Sequence, residues 1–174
     1  MLLHRATPQD ASRVADLVNV AFGGGAADAA GWTYEDGLFD GDRIDADEVL
    51  ELISVPGAQM LLWIAEREVS GCAYLKPLDG AAYLGLLAVR PGMQDRGIGS
   101  AIMSECERIA RAEWKARAMR ISVITSHRPE LTAFYERRGY VRTGRYKKFE
   151  RRQALRAPPR VDGLEVEWMH KELQ

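Results

Sequence analysis

The sequence has only two cysteines in 174 residues, Cys72 and Cys106, and three scattered histidines, His4, His127 and His170. None stands at metal-ligand spacing, which excludes a zinc site and a disulfide scaffold and leaves no metal expected. No apolar run approaches the roughly 18 residues of a membrane span, so no membrane partner is expected. Met1-Leu2-Leu3-His4-Arg5 lacks the basic region and long apolar stretch of a secretory leader, so a reducing cytoplasmic setting is expected. There is no repeat, low-complexity tract or composition break. At 47% hydrophobic and 28% charged the chain has ordinary globular composition, and a single α/β domain spanning 1–174 is expected.

Positive charge is scarce in the first half. Residues 1–87 hold 5 Lys/Arg against 14 Asp/Glu, whereas residues 88–174 hold 19 against 11. Either the halves pair on the surface, or the second meets an anion and the first a cation.

Strands and helices alternate along the chain. Residues 2–5 read as an edge strand. Thr7-Pro8-Gln9-Asp10 then opens a helix carrying Val14, Leu17, Val18 and Phe22 at helical spacing. Residues 23–42, acidic and Gly-rich, read as a long loop, and residues 45–53 as a second helix. Residues 60–65 and 69–75 form a hairpin around Glu66-Arg67-Glu68. Residues 83–89 are nearly all apolar, as in a strand covered on both faces. Ile98, Ile102, Cys106 and Ile109 share one face of a long helix. A strand over 119–125, a short helix over 129–138 closed by Gly139, and strands over 140–148 and 164–170 complete the chain.

The most informative stretch is Val89-Arg90-Pro91-Gly92-Met93-Gln94-Asp95-Arg96-Gly97-Ile98-Gly99-Ser100, where a buried strand turns into a long helix. Gly97 and Gly99 allow close approach to the backbone, and the first amides of a helix lack intrahelical partners. With Gln94 and Arg96 as side-chain donors, the stretch reads as a pyrophosphate cradle. The Gly-x-Gly-x-x-Gly spacing of a dinucleotide fold is absent. A glycine-rich turn that binds nothing is the plainer alternative. In Phe134-Tyr135-Glu136-Arg137-Arg138-Gly139-Tyr140, Leu131, Phe134 and Arg138 share a helical face, so Tyr135 also reads as a half-buried core ring.

Together, Val89-x-Pro-x-x-Gln-x-x-Gly-Ile-Gly and the later Phe-Tyr-Glu-x-x-Gly-Tyr resemble the GNAT superfamily of acyl-CoA-dependent N-acyltransferases, in element order across residues 2–172. Gly31-Trp32-Thr33-Tyr34-Glu35 with Asp42-Arg43 is similar to a bacterial subgroup of unassigned substrate. The resemblance implies a mixed, mostly antiparallel twisted sheet, splayed at the cofactor site and flanked by helices. It implies acetyl-CoA as cosubstrate and a primary amine of a small molecule or peptide as acceptor, and it leaves room for a homodimer. The pantetheine arm falls on Leu87, Ala88 and Val89, and the pyrophosphate on the amides of Asp95, Arg96, Gly97, Ile98, Gly99 and Ser100, helped by Gln94. Tyr135 matches the family tyrosine that returns a proton to the departing thiolate. Arg128 replaces an asparagine common seven residues before it and would stand beside the CoA phosphates.

The strand over 81–89 carries no carboxylate or histidine to act as base; Tyr83 is its only polar side chain. The resemblance implies that the acidic loop with Glu35, Asp36, Asp40 and Asp42 lies over the acceptor end, where it is expected to attract a cationic amine while water takes the proton. Trp32 either faces the substrate or pins that loop. Residues 142–160 carry eight Lys/Arg against Glu150, yet no aromatic-interleaved motif accompanies them, so a solvated loop or a contact to the 3′-phosphate is expected over nucleic acid. A non-catalytic acyl-CoA sensor is the rival; it would bind donor and tolerate loss of Tyr135.

Overall fold

Residues 2–22, 42–124, 129–149 and 163–174 are described by the computed structural model. The chain runs β1 (Leu2–Arg5), α1 (Ala11–Phe22), α2 (Ala46–Ser54), β2 (Gln59–Ala65), β3 (Glu68–Leu78), β4 (Ala81–Val89), α3 (Ile98–Trp114), β5 (Ala118–Val123), α4 (Pro129–Glu136), β6 (Val141–Lys148) and β7 (Glu165–Glu172). Among the described residues seven strands lie in the order β1-β2-β3-β4-β5-β7-β6, and of these pairs only β4 and β5 run parallel. No helix among the described residues is long and apolar enough to cross a membrane.

Short polar side chains start the first helices. The Asp10 carboxylate accepts from the Thr7 amide at 2.9 Å and from its hydroxyl at 3.0 Å, ordering a single 3-10 turn ahead of α1. At α2 the exchange is reciprocal: Glu48 N–H donates to Asp45 Oδ1 at 2.8 Å, and Asp45 N–H donates to Glu48 Oε2 at 2.9 Å. The helical faces read in the sequence are the buried ones. Val14, Leu17 and Val18 of α1 pack with Leu62, Cys72 and Tyr74 on one face of the sheet. Ile98, Ile102, Cys106 and Ile109 of α3 pack with Leu75, Leu84, Met119 and Met169 on the other. Each such aliphatic side chain contributes about 1.5–3 kcal/mol through burial, so the sheet is held from both sides.

Several boundaries differ from the sequence reading, among them the ends of β3 and α4. β3 continues past Leu75 to Leu78, with Pro77 opposite Ala82 beside the hairpin turn, a strand end where a missing N–H is tolerated. α4 stops at Glu136, and Arg137, Arg138 and Gly139 form its closing turn, Gly139 being left-handed at φ 85°.

The feature that creates the site lies in β4. Cys72 pairs with Ala88 and Tyr74 with Gly85, so Leu86 and Leu87 together oppose the single residue Ala73. Leu86 is left-handed at φ 47°, and the Cys72 thiol donates to its carbonyl at 3.5 Å. This is a β-bulge. Ala82 and Leu84 face α3 before it; Leu87 and Val89 face α3 after it. Its second effect is on the neighbouring strand. β4 pairs with β5 only through Ala81, Ala82 and Tyr83, and β5 continues to Val123 beside β7. Above Tyr83 the two parallel strands part.

Candidate active site

Where β4 and β5 part, a cleft of about 300 Å³ opens between the start of α3 and the face of α4. Leu87 and Val89 form one wall. Asp95 and Gly97 are both left-handed, at φ 60° and 77°, and turn the chain so that α3 starts at the cleft. The first backbone bond of α3 runs from Ala101 N–H to the Gly97 carbonyl at 2.9 Å. The amides of Ile98, Gly99 and Ser100 therefore have no intrahelical acceptor and sit at the positive end of the helix dipole, where an anion is stabilised.

Opposite them stand Leu131, Phe134, Tyr135, Arg137 and Arg138. The Tyr135 ring packs edge-on against Phe134 at 5.3 Å and Tyr140 at 5.8 Å. Tyr140 is buried, and its hydroxyl donates to Glu107 Oε1 of α3 at 3.2 Å, while Lys171 Nζ of β7 holds the other Glu107 oxygen at 2.7 Å. The ring of Tyr135 is thus fixed to α3 through Tyr140. Its hydroxyl makes no hydrogen bond among the described residues. Burial pushes the phenol above its ordinary value of 10.0; Tyr83 adds to the rise and the Arg138 charge opposes it.

The structure gathers most of the residues singled out in the sequence. Leu87, Val89, Gln94, Asp95, Gly97, Ile98, Gly99, Ser100 and Tyr135 line this one cleft. The side chains of two others lie elsewhere: Ala88 points into the core on the α1 side, and Arg96 is exposed outside the lining. Gln94 differs from the expected role, because its side-chain amide donates to the Val89 carbonyl at 3.1 Å and braces the turn. Trp32, Glu35 and Arg128 lie outside the described residues, as do Asp36, Asp40 and residues 150–160 of the basic stretch. Within that stretch Arg142 is engaged, its guanidinium bonding the buried Glu167 carboxylate at 2.6 Å. Sequence reasoning missed Phe134, Arg137 and Arg138 as cleft residues. The signal was the face shared by Leu131, Phe134 and Arg138, taken there as packing.

The family model described as "Acetyltransferase (GNAT) family" matches residues 27–140, which include both motifs. The chain belongs to the GNAT acetyltransferase family. Solved structures agree in fold. A ribosomal-protein-alanine N-acetyltransferase from Brucella melitensis superposes with a TM-score of 0.71 at 19% identity, over 99% of this chain and 100% of that one. A GNAT-family acetyltransferase from Streptococcus pneumoniae gives 0.67 at 16% identity, over 99% of each chain. A protein from Bacillus anthracis named a "putative streptothricin acetyltransferase", solved with acetyl coenzyme A, gives 0.57 at 15% identity, over 72% of this chain and 68% of that one. Among curated proteins no sequence match is found. As a GNAT acetyltransferase the chain takes acetyl-CoA as its donor and is an N-acyltransferase. The described residues fit that donor: the cleft offers three free helix amides for a pyrophosphate and an unpaired strand edge beside them.

Proposed function

We propose that the chain is a single-domain enzyme transferring the acetyl group of acetyl-CoA to a primary amine of a small molecule or peptide. The pyrophosphate rests on the amides between Asp95 and Ser100, and the pantetheine arm runs along Leu87 to Val89. The observation that carries the reading is the Tyr135 hydroxyl, held in the cleft without a hydrogen-bond partner among the described residues and within one cavity of the α3 amides.

The reaction needs a neutral amine nitrogen that attacks the thioester carbonyl carbon, while the C–S bond breaks and the thiolate leaves with a proton. Backbone donors near Val89 stabilise the oxyanion. Tyr135 donates to the thiolate, and water takes the proton from the amine because β4 carries no carboxylate. Burial keeps the Tyr135 phenol protonated well past the pH at which amines begin to lose their proton. Activity therefore rises toward alkaline pH without an early descending limb.

Glu35 of the acidic loop attracts the cationic acceptor. Glu35→Gln raises KM more than it lowers kcat, the mark of lost uniform binding; a collapse of kcat at constant KM, with the alkaline rise gone, would make Glu35 the base instead. Two buried free thiols, Cys72 and Cys106, fit the cytoplasmic setting of the same reading. A homodimer belongs to it as well, and sedimentation checks it. The direct test is an amine panel with acetyl-CoA, following thiol release. Release that depends on a primary amine is expected. Binding of acetyl-CoA with no transfer to any amine class would make the chain a sensor.

A further inference from the structure

Three atoms of one guanidinium converge on the donor cleft from the turn that closes α4. Arg138 directs Nε and Nη2 together onto Ser100 Oγ, the Nε contact being 3.2 Å, and its Nη1 donates to the Phe134 carbonyl at 2.9 Å. The guanidinium carbon lies 3.6 Å from the centre of the Phe134 ring. Ser100 is the third residue of α3, so a full positive charge is held at the positive end of a helix. Arg137 is its neighbour in sequence and also lines the cleft. Among the described residues no carboxylate pairs with Arg138. Burial and the Arg137 charge hold its pKa below the ordinary arginine value.

A planar guanidinium presents parallel N–H pairs that match two oxygens of an anion. Here such a pair is spent on one neutral hydroxyl. The ring of Phe134 covers one face of the guanidinium and fixes its plane, so little rotamer freedom is left to lose on binding. Helix end, second cation and fixed fork all favour an anion at one place, and the chain's described residues supply none there.

We infer that Arg138 grips the donor's pyrophosphate, exchanging the Ser100 hydroxyl for phosphate oxygens when acetyl-CoA enters, and so makes the diphosphate the main determinant of donor affinity. The inference rests on the reading of this cleft as the acetyl-CoA site. It adds a clamp from α4 to the α3 amides and divides the donor's recognition between two elements on opposite sides of the cleft. Ser100, released from Arg138, is then free to donate its hydroxyl to the same phosphate.

The test compares three probes, coenzyme A and 3′-dephospho-coenzyme A by calorimetry and pantetheine by ligand-observed NMR, on the wild-type protein, Arg138→Met and Arg138→Gln. Met keeps an apolar stem on Phe134; Gln keeps neutral hydrogen bonding and guards against a packing defect in the first variant. Both variants should weaken coenzyme A and its dephospho form alike, by about 10- to 100-fold. Pantetheine, which has no diphosphate, should bind all three proteins equally. Equal loss for all three probes would reduce Arg138 to a lock between α4 and α3, and loss confined to coenzyme A would place it on the 3′-phosphate. Unchanged affinity everywhere would leave the amides holding the diphosphate alone. Each of these results overturns the inference. Failure of the wild-type protein to bind coenzyme A would instead remove the reading on which it rests.

Discussion

Tyr135→Phe is expected to retain the fold and to lose acetyl transfer by about 10²- to 10⁴-fold, the usual contribution of a positioned proton donor. The substitution removes one oxygen and keeps the ring. Phe134 and Tyr140 still pack on it, and Tyr140 stays anchored to Glu107. Because the hydroxyl bonds nothing among the described residues, its removal leaves no buried donor or acceptor without a partner there. The melting temperature should be unchanged. Turnover with the best amine of the panel should fall at every pH while the alkaline rise persists, since that rise reports the acceptor amine. Wild-type turnover in the Phe variant would assign the thiolate's proton to solvent.

The second large effect concerns the floor of the cleft. Saturating acetyl-CoA, at 100 times its dissociation constant, adds about 2.7 kcal/mol to stability and should raise the melting temperature by roughly 5–10 °C. Gly99→Val should abolish that shift while leaving the free protein folded. A Cβ built at Gly99 stands 3.6 Å from Val89 Cγ2 and 3.7 Å from Phe134 Cζ, both ordinary contacts. Those atoms belong to the two walls of the cleft, so a branched side chain bridges them and would close it to a donor bound as proposed. Gly97 is a poorer probe. A Cβ there meets nothing within 4 Å, but its φ of 77° strains any L side chain, and weakened binding could reflect a displaced helix start. A Gly99→Val protein that still gains its full shift from acetyl-CoA would move the donor away from the α3 terminus.

Much of this site was legible in the sequence because its parts are local. The α3 face of Ile98, Ile102, Cys106 and Ile109 and the glycine-marked start of α3 each follow from residues within a few positions of one another. The bulge was not legible. Leu86 adopts a left-handed conformation that leucine does not advertise, and the parting of β4 from β5 depends on pairings with two other strands. Nor does the sequence reveal that β7, last in the chain, lies between β5 and β6. Gln94 illustrates the limit at a single side chain: its type fits an anion contact, yet it bonds the Val89 carbonyl. Arg138 shows the converse, a residue read as packing whose reach across the cleft to Ser100 is a tertiary fact.

The hydrogen-bonded ladder between β4 and β5 ends at Tyr83, while β4 itself continues for six more residues. The sheet therefore carries an incomplete seam in its interior, a place where a strand edge faces no strand. An extended chain with its own amides can dock on such an edge as an added strand would, and the pantetheine arm has that form. With the pantetheine arm placed as proposed, donor binding would complete the sheet. Backbone amides within residues 84–89 that face the seam should exchange with solvent more readily in the free protein than their neighbours paired to β3. Their slowing on addition of acetyl-CoA would time the closure of the sheet independently of any catalytic step.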